Sequence, residues 1–458
     1  MAGELNHREA GKRGASAQLA HFAVAASWDS ISPEVRHQTK RALINFFATA
    51  LAGCKDPALL AATQVFNQFR SSQDCTVIGH AQQTDMLHAA SLNAMSGNVF
   101  DFDDTHMPTI IHPTAPVAPV VLALAQTRMV SGPDLLAAFA VGVEVECRLG
   151  NAVSPWHYER GWHITSTCGV FGAAAAAGRL LGLSETQMLW ALGNASAQSS
   201  GLVQTLGSMA KSIGVGNAAS NGLLAAMLAR KGFEGPALPI EGPRGFLKVM
   251  GENSDTDSIS HELGTHWELM HNAYKPYPCG VVLNPVIQAC LEMHHEQGAR
   301  LSEVERVELM GHPLLRQRTD RPTPASGREA QVSAQHAIAM ALARGKAGLD
   351  EFSDASVALP QAKALSLRTS FTDDDSYAVE SVQVKLHMRN GSILSRSIAQ
   401  ARGSLSQPMS DTDLENKLRD LCRWGSSGCN PQALMDSIWT LDQSKDVSGL
   451  MQLAAGAH

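Results

Sequence analysis

The chain has 458 residues, more than one hydrophobic core ordinarily accommodates, so two domains are expected. Hydrophobic residues make up 44% and charged residues 17%, which excludes wholesale disorder, and a net charge of −7 without a long Lys/Arg block argues against a nucleic-acid partner. The eight cysteines contain no C-x-x-C pair, which argues against a disulfide framework, a cysteine-rich zinc site and a conventional iron–sulfur arrangement.

Residues 1–16 are polar and charged with no apolar stretch of the signal-peptide kind, so a secretory leader is not expected. No run reaches about 18 uninterrupted apolar residues: the alanine-rich stretch after Val170 is broken by Gly172 and Gly178 and ends at Arg179. A cytoplasmic protein with no membrane partner is the expectation. From about 16 to 236 the signal is almost wholly helical. Ser32-Pro33-Glu34 reads as an N-cap with proline at the first helical position, opening an amphipathic helix that stops near Gly53. Ser131-Gly132-Pro133-Asp134 opens another, running to about Leu149. Further helices are expected at 169–181, 184–197 and 221–231, with small residues on several faces, as suits helices packed closely in a bundle.

The pattern changes after about Tyr274. Val307 and Leu309 alternate with Arg306 and Glu308, as in a strand. Val382, Val384, Leu386 and Met388 alternate with Gln383, Lys385 and His387, and Asn390-Gly391 then leads into a β-like run at 393–398, a strong hairpin signature. A helix at 333–343 lies between these strands, and helices return at 411–424 and 431–441. The expected fold class is mostly α. A large all-helical domain covers 1–272, a smaller α+β domain at 273–402 is inserted, and a C-terminal helical segment, 403–458, returns to the helical body.

The densest chemistry lies in Asp101-Phe102-Asp103-Asp104-Thr105-His106-Met107-Pro108, followed by His112-Pro113-Thr114. Prolines prevent this segment from continuing as a helix, and apolar runs flank it. Three readings stay open for Asp101, Asp103 and Asp104: ligands of a divalent cation, N-caps and turn formers, or groups that orient neighbouring cations and imidazoles. His112 stands close to a helix start, where an imidazole can meet a carboxylate held by the helix N-terminus; the bland alternative is a satisfied loop histidine. His163, in Gly161-Trp162-His163-Ile164-Thr165-Ser166-Thr167, belongs either to a site or to a capping segment ahead of an apolar helix. Lys211 is a lone cation among small and apolar residues at 207–217, read as a loop after a helix; if buried, it needs an anion or a depressed pKa. The glycines there fit neither Rossmann nor phosphate-loop spacing. Lys275, in Lys275-Pro276-Tyr277-Pro278-Cys279-Gly280, is stiffened by prolines at the expected domain junction, either facing a ligand cleft or within a plain linker. Arg321 is a further cation from the second domain. His261-Glu262-Leu263-Gly264-Thr265-His266 is set aside as a zinc motif, because one extra residue breaks the i, i+4 relation of a zinc helix.

Taken together, DFDDTH with HPT (101–114), GWHITSTCGVFGAAAAAG (161–178), GSMAKSIGVGNAASNG (207–222) and KPYPCG (275–280) resemble the MmgE/PrpD family. Its members include dehydratases of 2-methylcitrate, decarboxylases of cis-aconitate and epimerases of iminodisuccinate. The resemblance covers roughly 15–445. It implies a homodimer, no cofactor, and a site made of Asp101, Thr105, His112, His163, Lys211 and Lys275. Gly214 and Gly280 stand where decarboxylase-like members often carry histidine, and Asn284 where many relatives do. The chemistry implied breaks a bond beside a carboxylate of a small anionic di- or tricarboxylate. Lysines would stabilise the resulting charge, His163 or Lys211 take the α-proton, His112 help a hydroxyl leave, and Asp101 fix an imidazole tautomer. Asp104, Thr105, Lys275 and Arg321 would hold substrate, with no metal among them. Dehydration of a 2-methylcitrate-like acid leads; epimerisation, decarboxylation and mere carboxylate binding are the alternatives.

Overall fold

The computed structural model describes residues 14–456 apart from 70, 253 and 255. The polar N-terminus read above lies almost wholly outside the described residues. The chain forms two compact units: unit 1 comprises Met1–Val99, Asp103–Asn272 and Asp411–His458, and unit 2 comprises Phe100–Phe102 and Ala273–Ser410. Among the described residues, no helix is long and apolar enough to cross a membrane.

Unit 1 is helical. Its longer helices are α1 (Ala15–Ala25), α2 (Pro33–Gly53), α3 (Pro57–Phe66), α4 (Met86–Asn98), α5 (Thr114–Thr127), α6 (Gly132–Val153), α7 (Ile164–Leu180), α8 (Glu185–Ser196) and α9 (Ala210–Arg230). Their starts follow local rules. The Ser32 side chain accepts from Val35 N–H with Pro33 at the first turn, and Ser131 accepts from Asp134 N–H. Ser184 and Gln187 form a reciprocal capping box on α8. Two starts differ from the sequence reading. Helix α7 begins at Ile164 rather than 169, and α9 at Ala210 rather than 221, so Lys211 sits on a helix and not in a loop. Glycine and serine are poor helix formers, but here packing overrides propensity. A Cβ on Gly222 of α9 would lie 2.4 Å from the Ala173 Cβ of α7, so only glycine allows the two backbones to approach this closely. Phe46, Phe47, Phe139 and Phe171 are among the large side chains wholly buried in this unit.

Unit 2 contains a four-stranded sheet flanked by α10 (Asn284–Glu296) and α11 (Ala334–Arg344). The strands are β1 (Val304–Gly311), β2 (Thr369–Asp373), β3 (Val382–Met388) and β4 (Ile393–Ile398), in the order β2-β1-β3-β4. β1 pairs parallel with β2 and antiparallel with β3, placing Val307 opposite Leu386 and Leu309 opposite Val384. The β3–β4 hairpin is antiparallel, and every second residue of β3 is buried. The apolar face packs with Val286, Ile287, Ile338 and Met340 of the two helices. β2 escaped the sequence reading because Thr-Ser-Phe-Thr-Asp is a polar edge strand without apolar alternation. Beyond unit 2, α12 (Asp411–Gly425) and α13 (Pro431–Trp439) belong to unit 1. There the buried Lys417 ammonium donates to Asn45 Oδ1 of α2 at 2.8 Å.

Helix α6 carries an unusual load of buried charge. Glu144 pairs with Arg148, whose guanidinium donates to the carbonyl oxygens of Ile259, His261 and His266 at 3.0, 2.7 and 3.0 Å. Glu146 is wholly buried, and neither of its carboxyl oxygens has a hydrogen-bond partner. Burial pushes its pKa well above the carboxyl range, and the charge of Asp104 adds to the rise. Below pH ~4.5 folded and unfolded chains both hold this proton; above it only the folded chain does, so each further pH unit costs about 1.4 kcal/mol until the folded acid ionises. Glu146→Gln is therefore expected to match the parent's stability near pH 5 and to exceed it by roughly 2–4 kcal/mol at pH 8, measured by urea unfolding. An equal stability difference at both pH values would refute a neutral buried acid.

Candidate active site

His112 is fixed from two sides. Its backbone N–H donates to Thr165 Oγ1, in the first turn of α7, at 3.1 Å. Its Nδ1 lies 2.9 Å from the Asp104 carbonyl oxygen, which can only accept, so Nδ1 carries the proton and the neutral ring keeps its basic lone pair on Nε2. The Asp103 carboxylate stands 3.2 Å from the same Nδ1 and accepts from Asn98 Nδ2 at 2.7 Å. A carboxylate behind an imidazole stabilises the imidazolium that forms when Nε2 takes a proton. The sequence left an orienting role open to Asp101, Asp103 and Asp104, and the chemistry implied by the resemblance gave it to Asp101. Within unit 1 the place is held by Asp103.

Asp104 ties the loop down. It is wholly buried, and its Oδ2 accepts from the Thr114 hydroxyl at 2.5 Å and from Asn272 Nδ2 at 2.7 Å. Burial pushes its pKa up to about 7 against the Thr114 hydrogen bond, and the charge of neighbouring Asp103 adds to the rise. Its Oδ1 and the hydroxyl of buried Thr105 have no hydrogen-bond partner. The sequence placed both residues at the substrate, and these two polar atoms are what they have to offer.

His163 is the N-cap residue of α7, with extended backbone, and is buried. Its N–H donates to the Gly201 carbonyl at 3.0 Å, and its Nδ1 lies 2.7 Å from Ser166 Oγ. Ser166 also marks a close approach of α9: a Cβ on Gly214 would lie only 2.8 Å from Ser166 Oγ. Lys211 sits on α9 three residues earlier, and it too is buried. The structure thus gathers His112 (through Thr165), His163, Ser166 and the Lys211 turn around the N-terminal ends of α7 and α9. Helix N-termini present positive partial charge, and an ammonium adds a full one, so the place favours an anion.

In unit 2, Lys275 is buried and donates to the Asp101 carbonyl at 2.8 Å, with the Asp101 carboxylate 3.2 Å away. Asp101 itself adopts a left-handed backbone, with φ of 52°. Arg321 is exposed, and its main-chain N–H donates to Gln335 Oε1. A Cβ at Gly280 would make ordinary van der Waals contact, with Val332 Cγ1 the nearest atom at 3.7 Å. Sequence reasoning did not single out Asn98 or Asn272 at all. Asn98 lies on α4, outside the acidic motif, and Asn272 lies 168 residues from its partner Asp104, so no local pattern could reveal either role.

The profile of the MmgE/PrpD N-terminal domain matches residues 17–258, and that of the MmgE/PrpD C-terminal domain matches residues 277–441. The chain belongs to the MmgE/PrpD family. Similar proteins include cis-aconitate decarboxylase of Aspergillus terreus, 27% identical over 96% of this chain and 96% of that protein. The cis-aconitate decarboxylases of Homo sapiens and Mus musculus are 26% and 27% identical, covering 93% and 92% of this chain and 91% and 89% of their own lengths. In this MmgE/PrpD chain, the space beside Gly214 is taken by the Ser166 hydroxyl, which meets His163. A larger residue at 214 would have to displace that contact. Asp103→Asn keeps the volume of the carboxylate but removes its charge. It is expected to lower kcat about 100-fold with little change in KM, read by steady-state kinetics on whichever acid the protein turns over. An unaltered kcat would remove Asp103 from the site.

Proposed function

We propose that this MmgE/PrpD member is a lyase for small tricarboxylates of the citrate or aconitate skeleton, removing a proton α to a carboxylate and then expelling water. The observation that carries this reading is the carboxylate-backed His112, whose anchored Nδ1–H leaves the basic lone pair on Nε2. In the forward step the α C–H bond breaks, Nε2 takes the proton, and the electron pair stays on carbon as a carboxylate-conjugated carbanion. The Lys211 ammonium and the α7 and α9 N-termini offset its charge. The pair then forms the C=C bond as the neighbouring C–O bond breaks, and the hydroxyl leaves as water with a proton from protonated His163, which Ser166 orients. Thr105, Lys275 and Arg321 enter the proposal as substrate-holding groups, on the resemblance and on charge.

A second reading, decarboxylation, is favoured by the three relatives named above, which are cis-aconitate decarboxylases. There the C–CO2 bond breaks, the pair again rests on carbon beside the cations, and protonated His112 returns a proton. The two readings share a site and differ in which bond breaks. Proton NMR in deuterated buffer with citrate, 2-methylcitrate, cis-aconitate and iminodisuccinate separates them. Alkene formation from a hydroxy acid is expected, with Lys211→Ala reducing turnover at least ~1000-fold. Gas release from cis-aconitate would instead establish decarboxylation, and deuterium uptake without an alkene would establish epimerisation. Binding without turnover would leave a carboxylate-binding protein.

We also propose a homodimer. The support is an apolar run left exposed beside Lys211: Leu202, Leu206, Met209 and Ile213. Met209→Glu is expected to shift the particle from dimer to monomer in size-exclusion chromatography with light scattering, and a monomeric parent would refute it.

A further inference from the structure

Three residues of unit 1 play no part in the chemistry above yet converge closely: His106, Glu268 and His271. His106 Nε2 lies 3.0 Å and His271 Nδ1 3.2 Å from one oxygen, Glu268 Oε2, and the ligand atoms all fall within 4.8 Å of one another. Around a tetrahedral ion with bonds of 2.0–2.1 Å, neighbouring ligand atoms stand about 3.4 Å apart. The two short separations fall a few tenths of an ångström below that edge, so a small outward shift admits an ion. We propose that His106, Glu268 and His271 form a binding site for a divalent transition-metal ion of the zinc class, clamping the His106 end of the acidic loop to the 268–272 segment.

The surroundings suit this role. His106 Nδ1 lies 2.7 Å from Thr109 Oγ1, the kind of outer partner that fixes the tautomer of a metal-bound imidazole. Without an ion, His106 Nε2 and His271 Nδ1 donate to the Glu268 carboxylate, which can only accept. Binding therefore asks each neutral ring to shift its proton to its other nitrogen, in His106 to Nδ1 where Thr109 accepts it; a neutral ring loses no net proton. The Glu268 backbone is already gripped, because its N–H donates to Glu144 Oε2 at 2.7 Å and Arg148 holds the carbonyls at 259, 261 and 266. Access comes from one side only. His106 is wholly buried, whereas the His271 side chain is 34% exposed and the ring of exposed His266 lies 5.1 Å from it, centroid to centroid. Water or His266 can therefore complete four ligands. Two imidazoles and a carboxylate suit zinc or cobalt better than magnesium or calcium, which take oxygen donors. His266 belongs to the H-E-x-x-x-H stretch whose spacing fails for a helical zinc motif; the fold gives its ring a different neighbour, His271.

The rival account is a hydrogen-bonded His–Glu–His cluster that never holds an ion. Full-length protein stripped with a chelator should be titrated with Co2+ and followed by visible d–d absorption, then challenged with Zn2+ and melted with and without Zn2+. The expected result is one ion per chain with intense low-coordinate cobalt bands, displacement by Zn2+ and a raised Tm. His271→Ala removes a half-buried side chain, so its metal-free Tm should stay near the parent's. It should lose metal affinity roughly 100-fold or more, together with the metal-induced rise in Tm. Lys211→Ala should keep both. The proposal is overturned by the lack of cobalt bands in the parent, and equally by binding or a Tm rise that survives unchanged in His271→Ala.

Discussion

The arrangement depends most on one wholly buried carboxyl group. Asp104 joins three separate stretches of unit 1: its side chain accepts from Thr114 at the start of α5 and from Asn272, and its backbone carbonyl accepts the His112 Nδ1 proton. Removing such a group from water costs several kcal/mol unless its oxygens are met, and a pKa raised to about 7 is the trace of that cost. The return is positional. Because the carbonyl of Asp104 can only accept, the tautomer of His112 is set by backbone geometry before any substrate arrives. Asp103 then needs only to supply charge. Adjacent residues of one short motif thus divide two tasks that a single carboxylate often performs together.

Close helix packing performs the second task. Alanine and glycine along α7 and α9 let the two helices approach until Cβ positions nearly touch, as at Gly222 and Ala173. That approach brings the Lys211 turn beside Ser166 and, through Ser166, beside His163. A bundle built from larger side chains would separate the helix N-termini by another layer of atoms and weaken their joint effect on an anion. The low aromatic content and the site geometry are therefore linked: the composition that makes the bundle tight also draws the positive ends together.

Much of this was legible in the sequence, and the failures have physical causes. Helix starts marked by Ser-Pro-Glu or Ser-Gly-Pro-Asp were readable because the signal is local, as was the Asn390-Gly391 hairpin. The start of α9 was not, because its glycines and serines argue for a loop and only the neighbouring α7 makes them helical. β2 was missed because an edge strand needs no apolar alternation. At the site, residue types in the acidic motif pointed to orienting chemistry, but which aspartate orients which partner is a matter of angles. Spacing left the role open to Asp101, Asp103 and Asp104, and the resemblance gave it to Asp101; the chain sets Asp103 behind His112, and Asp101 meets Lys275 within unit 2. Asn272 was out of reach of any local reading, since it meets Asp104 only through the fold.

The proposed use of this geometry would let one scaffold host more than one reaction. An imidazole with an anchored Nδ1–H and a carboxylate behind it is a base when neutral and an acid once protonated, so it can open a reaction by taking a proton or close one by returning it. Cations and helix N-termini stabilise a carbanion regardless of whether a proton or carbon dioxide has just left it. Neither element discriminates between those origins. Discrimination must then reside in how the substrate is turned over the imidazole, which depends on side-chain volume around it. Position 214 is one such place: glycine leaves Ser166 in contact with His163, and a larger residue would replace a hydroxyl at that spot with its own chemistry. Under the proposed mechanism, substrate choice would turn on small residues such as Gly214 and not on the groups that would carry out the reaction.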